Sequence, residues 1–241
     1  MFQRARSAEQ REVRRRAILD TAADMLAEMP VAEVTLNELS RRVGLAKSNV
    51  LRYFESREAV LLELLGTEWQ EWLTALANEL NSELASRPDG APDPAGPVAA
   101  RGDQLAQALA ASLAARPVLC DLVSAQAAVL ERNVSPQVAA TYKRATIAGL
   151  ADLGTLFRGH LPELGEPESF RLAGATLVST GALWPQCQPS AAMLAAYEAD
   201  PSLAVLRLDF AATLREMLET LVSGVLARAG RGTQAPDIRE K

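Results

Sequence analysis

The sequence is poor in the residues that most enzymes and metal sites need. It has one histidine and two cysteines, and aromatic residues make up only 5% of its 241 positions. Cys120, Cys187 and His160 lie far apart with no CxxC spacing, so no metal ligand set is expected. No Gly-rich phosphate loop, no GxSxG elbow and no histidine beside a plausible nucleophile is present, so neither a cofactor nor an enzymatic activity is expected. Glu216 and Glu219 stand one helical turn apart but among charged neighbours, which is the pattern of a solvated face. No run of about 18 uncharged apolar residues appears, and the arginine-rich N-terminus lacks the apolar core of a secretory signal. A reducing cytoplasm is therefore the expected location, with no membrane partner. Runs of β-branched residues are also scarce, whereas alanine and leucine dominate, which favours helices throughout.

What the chain does have is charge asymmetry. The net charge of −5 is unevenly spread: residues 1–60 carry 11 Lys/Arg against 9 Asp/Glu, whereas residues 61–241 are acidic overall. Arg4, Arg6, Arg11, Arg14, Arg15 and Arg16 crowd the start against Glu9 and Glu12, giving a basic arm within residues 1–16 that could be drawn toward a polyanion. A solvated helix face is the alternative reading of the same residues.

Helical periodicity runs from Ala8 to about Met29 through Val13, Ala17, Ile18, Ala22, Met25 and Leu26, and Pro30 ends it. Thr35 precedes Glu38 by three positions, the spacing of a reciprocal capping box. The short helix it opens has Leu36, Leu39 and Val43 on its inner stripe, and Gly44 supplies a turn. A third helix is expected from Ala46 to about Phe54. Ser56 looks like the cap of a long fourth helix that runs to about Ala85. The stretch Pro88–Ala99, with four prolines and two glycines, reads as a mobile loop. Helices follow at about 100–115, 117–131, 136–160, 167–184, 190–199 and 202–229, divided by prolines, and residues 230–241 read as a disordered tail. The expected fold class is all-α, with domains at 1–55 and 56–229.

Two short helices joined by a glycine turn match the helix-turn-helix, whose second helix enters the DNA major groove. Helical geometry sets Val50 and Phe54 inward and turns Ser48, Asn49 and Arg52 outward, flanked by Lys47 and Tyr53. Asn and Arg can hydrogen-bond base edges bidentately, whereas Lys, Ser, Thr and Tyr commonly hold phosphates. The helix starts at Thr35, Ser56 and Arg57 add free N–H groups that suit a phosphate oxygen. A helical hairpin that binds a protein partner instead of DNA is the competing reading of these features.

Residues 14–65 resemble the DNA-binding domain of the tetracycline-repressor (TetR/AcrR) family. The alanine-rich first helix, Thr35 opening the second, Gly44-Leu45-Ala46 in the turn, the aromatic pair Tyr53-Phe54 and Arg57 opening the fourth carry the resemblance. It implies that Thr35, Lys47, Tyr53 and Arg57 hold phosphates while Asn37, Ser48, Asn49 and Arg52 face bases. Leu51 departs from the family pattern by replacing a tyrosine, exchanging a hydroxyl contact for an apolar one. The resemblance further implies a larger C-terminal helical domain that binds a small apolar effector and forms a homodimer on a palindromic double-stranded DNA operator, as a repressor. Extra apolar width on the helices near 170–184 and 202–229 is what a dimer bundle would consume, with a buried core as the alternative reading. Trp69, Trp72, Cys120, Gln126, Phe157 and Trp184 are the ligand-pocket candidates, since an apolar cavity with few polar groups is the usual small-molecule site; tryptophans at helical spacing also fit plain core. His160 is expected at a helix C-terminus.

Overall fold

Side-chain oxygens set many of the helix starts. In the computed structural model, which describes residues 2–85 and 97–232, ten α-helices follow one another among the described residues: α1 (Phe2–Glu28), α2 (Leu36–Arg42), α3 (Lys47–Val50), α4 (Arg57–Ala85), α5 (Val98–Ala114), α6 (Pro117–Ala125), α7 (Pro136–His160), α8 (Glu166–Leu183), α9 (Ala191–Ala199) and α10 (Phe210–Gly232). Ser56 accepts from the Ala59 amide at 3.1 Å and Ser135 from the Val138 amide at 3.3 Å, each holding an N–H that the helix itself leaves unpaired. Among the described residues no single helix is long and apolar enough to cross a membrane.

The chain divides into two compact units, and the division differs from the expected boundary at 55/56. The first unit is Met1–Gln70 with Pro117–Thr146, and the second is Glu71–Arg116 with Ile147–Lys241. Packing explains the difference, because Leu61, Leu64 and Leu65 of α4 belong to the same core as Ile18, Met25, Leu39 and Val50. Residues 117–130 join that core through Leu119, Leu122 and Leu130, and the Asp121 carboxylate accepts the Val31 amide at 2.6 Å.

In the second unit, α10 packs along α5 and α8. A Cβ on Gly102 would stand 2.8 Å from Val222, so only glycine allows that approach of α5 to α10. Leu105, Leu109, Leu113, Leu153, Phe157, Leu172, Leu214 and Leu218 fill this core. Arg101, itself buried, is paired with Glu163.

Several element boundaries differ from the sequence expectation. Helix α1 begins at Phe2 rather than Ala8, so most of the expected arm, residues 2–16, continues the first helix. The expected third helix ends as an α-helix at Val50, after which the chain tightens: Arg52 N–H reaches the Asn49 carbonyl at 3.2 Å and Tyr53 N–H the Val50 carbonyl at 2.9 Å. The expected single helix at 202–229 is two elements, a 3₁₀ segment Pro201–Leu206 and α10, because Asp209 caps a new start by accepting the Ala212 amide at 2.8 Å. After α6 comes a wider π-helical turn, Gln126–Leu130. Of the expected mobile loop, residues 88–96 lie outside the described residues, while Pro97 and Val98 open α5. Of the expected tail, residues 230–232 end α10 and 233–241 lie outside the described residues.

Candidate DNA interface

The recognition segment is held from behind by apolar burial and from its ends by hydrogen bonds. Val50 and Phe54 are fully or nearly fully buried, as the helical spacing predicts. Gly44 takes a left-handed conformation, φ 69°, and thereby reverses the chain between α2 and α3. Thr35 caps α2 by accepting the Glu38 amide at 3.2 Å. The expected reciprocal arm of that capping box is replaced: the Glu38 carboxylate takes Arg41 at 2.6 and 2.8 Å and Arg42 at 2.9 Å. Hydrogen bonds from Arg41 and then Arg42 hold the Glu38 carboxyl at about 2, so it stays charged and keeps both arginines on α2.

Behind the recognition turn, Arg15 joins three elements. Its Nε donates to Glu63 at 2.7 Å, a terminal nitrogen donates to the Tyr53 carbonyl at 2.8 Å, and the guanidinium lies 4.2 Å from the Phe54 ring centroid. Arg15 is thus turned inward, away from the exposed role expected of the basic arm.

The outward side of the segment carries Lys47, Ser48, Asn49, Leu51 and Arg52, all exposed, with Tyr53 half-buried. Three of them, Asn49, Arg52 and Tyr53, line an open trough of about 1060 Å³ with Arg11 and Arg14 on the α1 side. Arg11 reaches the Arg52 carbonyl at 3.5 Å and sits 5.9 Å over the Tyr53 ring. Three arginines against Glu9 make the trough basic, a surface suited to a phosphate backbone. Sequence reasoning grouped Arg11 and Arg14 with the arm without pairing them to the recognition segment. The signal was the helical spacing of Gln10, Arg14 and Ala17, which places them on one face of α1. Val13, expected in the apolar stripe of α1, is 66% exposed and lines the trough instead.

Thr35 and Asn37 are exposed at the start of α2. Arg57, expected to hold a phosphate, is already engaged: its guanidinium donates to the Val31 carbonyl at 2.7 Å and is half-buried. This bond fixes the loop between α1 and α2 to the start of α4.

The six ligand-pocket candidates are divided between the two units. Trp69, Cys120 and Gln126 belong to the first unit and Trp72, Phe157 and Trp184 to the second. Trp72 is fully buried and donates from its indole to Ser112 Oγ at 3.0 Å, Trp184 packs edge-on against Phe210 at 5.0 Å, and Gln126 donates to Glu131 at 2.8 Å. Cys120 is buried, and burial with the neighbouring Asp121 charge pushes its thiol up to about 12, a property of inert core. His160 ends α7 with its Nδ1 3.1 Å from the Leu156 carbonyl. Among the described residues no group of three His, Cys, Asp or Glu is placed to hold a metal.

A short exposed recognition segment behind a glycine turn, beside a basic helix face and joined to a larger helical unit, defines a helix-turn-helix protein. Residues 18–64 match the model of bacterial regulatory proteins of the tetR family, and residues 66–229 match that of the tetracyclin repressor-like C-terminal domain. The chain belongs to the TetR family of DNA-binding transcriptional regulators.

Over 49 residues it is 41% identical to the HTH-type transcriptional regulator EthR of Mycobacterium tuberculosis and Mycobacterium bovis. That match spans 20% of this chain and 23% of the relative. Among solved structures, a TetR regulator from Rhodococcus sp. RHA1 aligns with a TM-score of 0.53 at 12% identity, covering 91% of this chain and 97% of that one. A TetR-family regulator from Mesorhizobium loti aligns with a TM-score of 0.52 at 16% identity, covering 90% and 97%. These structural likenesses show a shared fold.

Proposed function

We propose that the chain is a ligand-responsive repressor that binds a near-palindromic operator as a homodimer and leaves it when a small apolar molecule binds the larger unit. The observation that carries the DNA side is the outward placing of Lys47, Ser48, Asn49 and Arg52 beside the Arg11–Arg14 face of α1. In this reading Asn49 and Arg52 address base edges, while Lys47, Tyr53, Thr35 and the α1 arginines address phosphates. Asn37 and Ser48 are further base-facing groups. Arg57 acts from behind, by holding Val31.

Dimerisation is supported by apolar side chains that the second unit leaves uncovered: Val178 on α8 is 70% exposed, with Phe170 and Met217 also exposed on α8 and α10. A dimer places two recognition segments about 34 Å apart on successive turns of one groove. Effector response is assigned to α4, whose residues 57–70 belong to the first unit and 71–85 to the second. A ligand with differential affinity for two positions of that helix changes the spacing of the recognition segments and so lowers operator affinity.

The test is selection of bound duplexes from a random DNA pool, repeated with Arg52→Ala. An enriched palindrome whose sequence preference weakens in the variant supports the reading. No enrichment, from protein freed of bound small molecules by denaturation and refolding, overturns it.

A further inference from the structure

A second cavity, of about 490 Å³, lies wholly within the first unit, and Tyr53 lines both it and the trough. Its walls come from four places, the first being Arg15 on α1. Tyr53 and Phe54 end the recognition segment, Leu62 and Gly66 belong to α4, and Val138 and Tyr142 belong to the first turns of α7. The volume is in the range of small-molecule sites, and the aromatic and aliphatic walls share the lining with the polar side chains of Arg15, Glu55, Glu63, Gln137 and Thr141.

The ionised groups at this cavity are unbalanced. Arg15 is the one cation among its lining residues and is already committed to Glu63, which leaves Glu55 as a second carboxylate whose charge no lining cation meets. Glu55 is an exposed lining residue and uses one oxygen to accept the Ser135 amide at 2.5 Å. Gly66 supplies a further sign of unused space, because a Cβ there would meet no atom within 4 Å.

We propose that this cavity is an effector site inside the first unit, between the helix-turn-helix and the start of α7, taking a small amphipathic cation whose apolar part lies among Phe54, Leu62 and Tyr142 and whose ammonium group meets Glu55. It is separate from the effector binding proposed above for the larger unit. Only its regulatory consequence rests on the DNA reading: Tyr53 lines both this cavity and the trough, so ligand and operator would meet at the same turn, and their affinities are then reciprocally linked. Binding itself needs no DNA.

The experiment is calorimetric titration of the full chain, without DNA, with 4-phenylbutylamine and with its anionic counterpart 4-phenylbutyrate. The amine is expected to bind with a dissociation constant below about 1 mM and at least tenfold tighter than the acid. Gly66→Leu fills the cavity from α4, at a position where leucine is the better helix former, and should weaken amine binding at least tenfold. Ala145→Leu fills it independently from α7 and should do the same. Glu55→Gln keeps an acceptor for Ser135 and should cost the amine about three- to fivefold. Absence of amine binding to the wild-type chain overturns the proposal. So does amine binding unaffected by both filling variants, or equal binding of the acid. None of these outcomes touches the operator selection, whose failure would instead count against DNA binding.

Discussion

Arg15 on α1 and Glu63 on α4 form one face-to-face pair, with Arg15 Nε donating to Glu63 at 2.7 Å while the same guanidinium holds the Tyr53 carbonyl at 2.8 Å. One side chain therefore ties the first helix, the end of the recognition segment and the long fourth helix together. Arg15→Ala leaves Glu63 and a backbone carbonyl without that partner and removes the cover from Phe54. Loss of about 1–3 kcal/mol of unfolding free energy is expected in urea titrations. A change within the scatter of ordinary surface substitutions would mean that the pair is incidental.

Gly44 occupies left-handed backbone with open space around it, so the cost of a side chain there is conformational alone. Gly44→Ala should destabilise the protein by about 1 kcal/mol and lower the thermal midpoint. Gly159 lies in a helix with open space around it, and Gly159→Ala should shift the midpoint in the opposite direction. Equal shifts from both would contradict the role given to the turn.

Val178 faces away from its own core at mid-α8. Val178→Glu places a charge on that face without disturbing the packing beneath. Sedimentation is expected to show a dimer for the wild-type chain and a monomer for the variant. A variant that stays dimeric would remove α8 from the interface.

Burial pushes both Cys120 and Tyr142 up to about 12 from ordinary values near 9 and 10. Burial favours their neutral forms in the folded chain. Their full contribution to stability is therefore present below pH 9, and it is lost as pH rises through 9–12, where the unfolded chain ionises first. Melting midpoints should fall across that window, less so in Cys120→Ala than in the wild-type chain. Iodoacetamide at pH 8 should label half-buried Cys187 well before buried Cys120. Labelling of Cys120 at the rate of a free thiol would show that its site opens readily.

The sequence carried the helix-turn-helix well because its signals are local: the Thr35 cap, the Gly44 turn and the inward spacing of Val50 and Phe54 each act within a few residues. The long-range features were less legible. Nothing in the order of residues says that Arg15 turns inward to Glu63, that Arg57 is spent on Val31, or that residues 117–146 pack with the first unit. Those outcomes depend on which elements meet in three dimensions. Asp209 was a local signal that periodicity masked, because Leu203 and Leu206 continue the apolar spacing across the break. The tryptophans were ambiguous for a different reason: burial alone does not separate a core residue such as Trp72 from a pocket wall.

The central claim is that the recognition segment, with Lys47 exposed on it, and the basic trough it shares with α1 bind DNA. Fluorescence anisotropy of the selected duplex across a salt series tests it most directly, with the wild-type chain, Arg14→Ala and Lys47→Ala. Affinity should fall steeply with salt, and each variant should lower the log–log slope by about 1 while weakening all duplexes alike. Binding that ignores salt, or slopes unchanged in both variants, would contradict the account.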